Sequence, residues 1–180
     1  MTYQAPGRSA PVVVGIFTLH SVGVELALSA QQGAGASAVW PAADRAIFVP
    51  FYLSERMTAT KMFVANGAAV SGSLDLGIYD AAGTRLVSSG STAQAGITTT
   101  QVVDITDTTL SPGTYYMAMA MDNITGTTLR SAPSLIFHKS MGIAQQASAF
   151  PLPATATLAA SASTYIPFMG VSFRTVAGSV

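Results

Sequence analysis

The sequence has no cysteine and little charge. Among its 180 residues, Asp, Glu, Lys and Arg make up only 9%, against roughly 25% in ordinary soluble domains. Without cysteine there is no disulfide framework, no thiolate metal site and no thiol nucleophile. We therefore expect packing and hydrogen bonds alone to hold the fold, which a chain of this length can achieve with one core.

The few charges are balanced, with eight basic and eight acidic residues and a formal net charge of zero. Binding to nucleic acid needs a basic face that neutralises phosphates, and a polybasic membrane contact needs the same excess. The balance predicts that neither nucleic acid nor a membrane is the main partner.

Long apolar runs are also missing. The mean hydropathy of +0.45 is high for a soluble protein, yet a membrane-spanning helix needs about 20 consecutive apolar residues. The best run, residues 11–19, is closed by His20 and Glu25, and Pro11 and Glu25 fit a signal peptide poorly. High hydropathy without a span predicts that part of the surface is buried against other subunits, because obligate interfaces are more apolar than free surfaces.

The remaining pattern is that of β-strands. Residues 73–79 alternate, with Leu74, Leu76 and Ile78 predicted on one face and Asp75, Gly77 and Tyr79 on the other. Turn signals recur about every 8 to 12 residues between such segments, as in sandwiches and barrels. We predict an all-β fold, specifically a jelly-roll-like antiparallel β-sandwich, in residues 41–180.

Several local features refine this prediction. Pro50 inside a strand predicts an edge position or a bulge, and Asn66-Gly67 predicts a turn. Residues 141–149 are the one helical candidate. The Ala-, Gly- and Ser-rich residues 1–40 predict an extended N-terminal arm, and the Pro-, Ala- and Thr-rich residues 150–163 an extended excursion that contacts a neighbouring subunit.

Three stretches carry a family resemblance. They are residues 39–51, with Trp40-Pro41 and Pro50-Phe51; residues 72–87, with a hairpin turn at 80–83; and residues 110–118, with Pro112-Gly113. Together they resemble small virion structural proteins of tailed bacteriophages, described as minor tail, tail-fibre or capsid-associated proteins. The resemblance covers residues 39–130 and implies a β-sandwich virion protein without catalytic residues.

Candidate catalytic residues are few. His20 and His138 are the only histidines, and no Gly-x-Ser-x-Gly motif accompanies them, so a serine-type triad is disfavoured and structural histidines are favoured. Five aspartates suggest paired carboxylates or a shared Ca²⁺, but turn capping explains most of them more simply. These are Asp75, Asp80, Asp104, Asp107 and Asp122. No catalytic, cofactor-binding or metal-binding residue is therefore assigned.

Aromatic residues allow a sugar-binding platform, although strand spacing favours core packing. They are Trp40, Phe48, Phe51, Tyr52, Tyr79, Tyr115 and Tyr116. Alternating methionines are expected in the core, or at an adaptable interface. They are Met57, Met62, Met117, Met119 and Met121. The sequon at Asn123 has no meaning without secretion.

These observations predict a non-enzymatic virion component that packs against copies of itself and other virion proteins. We expect a homo-oligomer, either a trimer or a larger symmetric array, without a cofactor. The alternative is a carbohydrate- or receptor-binding module of a tail fibre or spike, with a host glycan as its ligand.

Overall fold

The structure is a computed structural model that describes residues 12–15, 36–131 and 139–175, the first of these by backbone alone. The elements in these residues are strands, and they pair antiparallel in packed sheets, which confirms the predicted all-β, sandwich-like fold. The jelly-roll topology and the N-terminal arm stay predictions. The strands are β1 (Val12–Gly15), β2 (Ala36–Val39), β3 (Arg45–Leu53), β4 (Met57–Ala65), β5 (Ser73–Asp80), β6 (Arg85–Ser88), β7 (Thr92–Ala93), β8 (Thr100–Leu110), β9 (Gly113–Met121), β10 (Thr127–Ser131), β11 (Ala144–Gln146), β12 (Ala159–Ala160), β13 (Ile166–Pro167) and β14 (Met169–Thr175).

The strands form three sheets. The main sheet has the order β12-β11-β3-β9-β5-β6, with β7 also paired to β5. The second sheet has the order β1-β14-β4-β8, and a small third sheet has the order β13-β10-β2. β2 and Trp40, which the sequence assigned to the arm, therefore belong to the packed fold.

The core lies between the main and second sheets, as the alternation of β5 predicts. Leu74, Leu76 and Ile78 are all fully buried there, and burial of this apolar area at about 25 cal/mol per Å² is the main stabilising contribution. The five methionines expected in the core are buried in the same cluster. Their unbranched side chains fill the irregular gaps between the two sheets.

The opposite face of the main sheet is also buried. It consists of small residues such as Ala46, Ala118 and Ala120 together with two aromatic residues. The rings of Phe48 and Tyr79 pack edge to face, with their centroids 5.2 Å apart. Residues 149–158, here called the covering segment, lie across this face and bury the Leu152 side chain. Part of the predicted excursion thus packs on the chain's own sheet, because small side chains let its backbone approach the sheet closely. Its contact with a neighbouring subunit stays a prediction.

Three local predictions have different outcomes. Pro50 lies beyond the stretch of β3 that pairs with β11, at a local edge, and its pairing with β9 has no bulge. The helical candidate at residues 141–149 is wrong, since β11 forms there and pairs with β3. Asn66-Gly67 makes no hairpin, because β4 pairs with β8 and β14 rather than with β5.

The described residues contain no helix long and apolar enough to cross a membrane. Within the predicted arm, residues 12–15 form β1, which pairs with β14 of the same chain. Residues 1–11, 16–35, 132–138 and 176–180 lie outside the described part, and so does the rest of the predicted arm.

Gly170 on β14 permits a close approach of Phe63 from β4. A Cβ at position 170 would lie 2.2 Å from the tip of the Phe63 ring, so we expect Gly170→Ala to destabilise the protein by about 1–3 kcal/mol, as overpacking does. In a Phe63→Ala background the same change should cost less, because the clash is gone. Urea unfolding of the four proteins of this cycle measures the coupling, and additive effects would contradict the predicted contact.

Candidate functional site

A buried carboxylate holds the covering segment on the main sheet. Asp75 on β5 is fully buried; its Oδ1 accepts hydrogen bonds from the hydroxyls of Ser88 at 2.9 Å and Ser89 at 3.3 Å. Its Oδ2 accepts the backbone N–H of Leu152 at 3.0 Å. Both oxygens are thus engaged by the protein itself, so this carboxylate works as a structural clamp.

Tyr79, four residues beyond Asp75 on β5, and its neighbour Arg85 on β6 complete the clamp. The Tyr79 hydroxyl donates to the carbonyl of Pro153 at 2.6 Å, and the Arg85 guanidinium donates to the carbonyl of Leu152. Burial raises the pKa of Tyr79 well above its usual 10, so the hydroxyl stays protonated and keeps donating. This stabilisation is present below pH 10 and declines only as the pH rises above that value.

Amide side chains organise one end of the sandwich. Asn66 is fully buried; its Nδ2 donates to the Ala95 carbonyl at 2.6 Å and to Gln101 Oε1 at 3.1 Å. Its Oδ1 accepts from Nε2 of Gln94 at 3.0 Å. Gln94 also accepts the backbone N–H of Ser71 at 3.0 Å. The cluster therefore ties the loops after β4 and after β7 together.

A third loop joins the same end. The Asn123 side chain, just after β9, donates to the Ser71 carbonyl at 2.9 Å and accepts the N–H groups of Thr125 and Gly126. Gln94 Nε2 bonds the Thr127 carbonyl at 2.8 Å. We call this end the loop platform; it comprises residues 36–39, 66–72, 93–99 and 123–127. Side-chain bonds between its loops fix their relative positions.

The loop platform has an unusual surface composition. None of its residues is ionisable, and three of its large apolar side chains are exposed. They are Val39 at 53%, Ile97 at 62% and Ile124 at 54%. Rigid loops that expose large apolar groups on an uncharged surface are typical of contact sites for other macromolecules.

The five aspartates considered from sequence lie apart in different roles. Asp80 caps its turn through the N–H groups of Ala82 and Thr84, as predicted, and Asp122 accepts the N–H of Ser73. Asp104 and Asp107 are on β8, paired with Lys61 and Arg174, so the turn-capping interpretation is wrong for them. Within the described ranges no group of three or more metal-ligating side chains occurs.

The aromatic residues mostly pack inside, as strand spacing predicts. Trp40, Phe48, Phe51 and Tyr79 are buried, which removes them from any sugar platform, while Tyr52 is 46% exposed. Tyr115 and Tyr116 are partly buried. His20 and His138 lie outside the described residues, so their predicted structural role stays a prediction.

The described residues thus offer two structural devices, the clamp under the covering segment and the loop platform. Sequence reasoning missed the amide cluster, whose one local signal was Asn66-Gly67, because its other members are distant in the chain. In comparisons with known proteins, no family model, curated protein or solved structure matches the chain.

Proposed function

We propose that the protein is a bacteriophage virion structural protein that acts through packing against copies of itself and against other virion proteins. In this role the sandwich is a rigid unit, and its function is to bind neighbouring subunits. Apolar area buried at such contacts offsets the cost of association.

The loop platform is the observation that carries this proposal. The clamp and the core already use most of the large apolar side chains, yet three remain exposed on a surface without ionisable groups. Burying this surface requires no desolvation of charge, which is a large cost at contacts between proteins. The bacteriophage setting comes from the sequence resemblance over residues 39–130.

Two measurements test the proposal. Sedimentation velocity of the purified protein across a wide concentration range should give a discrete homo-oligomer; a monomer throughout would contradict self-packing. Mass spectrometry of gradient-purified phage particles should detect peptides of the chain in stoichiometric amounts. Their absence from particles would remove the virion role while leaving self-association standing.

The N-terminal arm has its own test. We expect deletion of residues 1–30 to leave a folded protein that assembles poorly, as proposed for an arm that reaches a neighbour. The deletion also removes β1 from the edge of the second sheet, so circular dichroism must confirm that the strands persist. Normal assembly of the folded, truncated protein would contradict the arm.

Glycan binding is the competing function. A glycan array with reproducible hits, combined with a monomeric protein in solution, would favour a carbohydrate-binding module. The exposed Tyr52 would then be the first aromatic residue to replace.

A further inference from the structure

We propose that β2 and the loop platform form a two-fold interface with a second copy of this chain, in which β2 pairs antiparallel with the partner's β2. This inference rests on the proposed self-packing and adds the location, partner and symmetry of one contact. It starts from the backbone groups of β2 that no described residue pairs.

The hydrogen bonds of β10 show which backbone groups of β2 face β10 and which face the outer edge. The carbonyl of Thr127 accepts from Gly67 N at 2.9 Å and that of Leu129 from Phe168 N at 2.9 Å, so both point away from β2. Thr128, between them, therefore directs its backbone N–H and C=O groups toward β2, where Ala38 is its partner in register. Since bonding alternates along an antiparallel strand, Ser37 and Val39 direct their N–H and C=O groups to the outer edge.

β2 is held firmly in this position. The Tyr165 hydroxyl donates to the Ala38 carbonyl at 2.9 Å and contacts the Thr128 hydroxyl at 2.8 Å, and the Ser37 hydroxyl accepts the N–H of Ala68 at 2.8 Å. Burial raises the pKa of Tyr165, so this donor persists. A fixed edge loses little conformational entropy when it pairs.

Most of the other described sheet edges carry features that hinder pairing, whereas four-residue β2 carries only its shortness. Exposed edges are normally blocked by charge, proline, bulges or shortness. β8 bears Asp104 and Asp107 beside an irregularity in its register. β13 ends in Pro167, β6 begins with Arg85, and β12 has two residues. In the described part of the chain, β2 pairs with β10 alone and has no charge, proline or bulge.

The adjoining surface favours a second copy as the occupant. Val39 shares a face of β2 with Ser37, whose hydroxyl bonds to the loop after β4, so its exposed side chain lies on the platform side. β1 is also short and uncharged, but β2 adjoins the exposed Ile97 and Ile124 loops. A two-fold contact places a surface against itself, and this surface has no charge to repel its own copy.

The expected register is centred on Ala38. Ser37 then lies opposite the partner's Val39, and both residues have backbone groups free to bond. Ala38 faces the partner's Ala38 as a non-hydrogen-bonded pair, for which Cα atoms are about 4.5 Å apart. That spacing lies within the range that a disulfide spans, roughly 4.4–6.8 Å.

Single cysteines test this geometry cleanly, because the chain has none of its own. Under mild oxidation, Ala38→Cys should form a covalent dimer, whereas Val102→Cys on β8 should not. Val39→Lys and Ile97→Lys should each raise the dissociation constant of the oligomer by about tenfold or more, as charges at an interface core do. Val102→Lys is the matched control, since Val102 is 56% exposed and Val39 53%.

The outcomes separate the two proposals. A wild-type protein that is monomeric throughout would overturn self-packing and this interface together. An oligomer that Val39→Lys and Ile97→Lys leave intact, and in which Ala38→Cys does not cross-link, would overturn only the interface, as would a trimer lacking a two-fold axis. Circular dichroism of every variant excludes unfolding as the cause of a lost oligomer.

Discussion

Replacing Asp75 with alanine should lower the free energy of unfolding by about 3–5 kcal/mol. The change leaves the Ser88 hydroxyl and the Leu152 N–H without their acceptor, while the Ser89 hydroxyl keeps the Gly90 carbonyl. Each buried unsatisfied group costs about 1–3 kcal/mol, and the lost side chain leaves a cavity in addition. Urea unfolding followed by circular dichroism measures the loss. Limited proteolysis should show earlier cleavage within the covering segment, because its main clamp is gone.

Two variants serve as controls for Asp75. Asp75→Asn should lose only about 1 kcal/mol, since its amide can donate to the serine hydroxyls while its oxygen accepts from Leu152. Asp104→Ala removes an exposed carboxylate whose ion pair with Lys61 is on the surface, and should change stability by less than about 1 kcal/mol. Equal losses in Asp75→Ala and Asp104→Ala would contradict the clamp.

Replacing Asn66 with alanine should cost about 2–4 kcal/mol. The Ala95 carbonyl, Gln101 and Gln94 each lose the partner that the fully buried Asn66 side chain provides, and buried polar groups without partners are expensive. Hydrogen exchange provides a second readout, because the Ala95 and Ser71 amides bond to the side chains that would be released. Both amides should exchange faster.

The control for Asn66 is Gln146→Ala. Gln146 is a half-buried amide that accepts a single bond from Thr157 N, so its loss should cost less than about 1 kcal/mol. An Asn66→Ala protein as stable as Gln146→Ala would show that the amide cluster contributes little. Loss of stability without faster exchange at Ala95 and Ser71 would place the effect elsewhere in the fold.

Alternation along the strands was enough to predict the all-β class and one face of the main sheet. In β5, Leu74, Leu76 and Ile78 differ sharply from their neighbours, and period-two burial follows directly from strand geometry. The methionines of β9 follow the same rule. Local pattern decides these positions because each strand has one strongly apolar face.

The second buried face was not predictable in the same way. Asp75, Gly77 and Ala118 are small or polar, as on a solvent-exposed face. The segment that buries them lies some 30 to 80 residues later in the chain. At Gly77 a Cβ would lie 2.9 Å from Leu152 Cδ1, so small size there reflects close approach rather than exposure. Tertiary contact overrides local pattern at such positions.

Large separation along the sequence also explains the wrong predictions at residues 141–149 and 66–67. β11 forms because it can pair with the edge of β3. The residues 141–149 themselves carry no sign of this distant partner. Asn66 predicts a turn only because Gly67 follows it. Its actual partners are Gln94, in the loop after β7, and Gln101, at the start of β8. Sequence order conceals both sets of partners.

The position of β14 has a consequence for how the protein is made. The last described strand sits inside the second sheet, between β1 and β4, so during synthesis β4 and β8 emerge long before the strand that completes their sheet. Pairings of such large sequence separation fold slowly. Until residues 169–175 leave the ribosome, the growing chain exposes an open apolar layer, and we expect chaperones to protect this layer from aggregation.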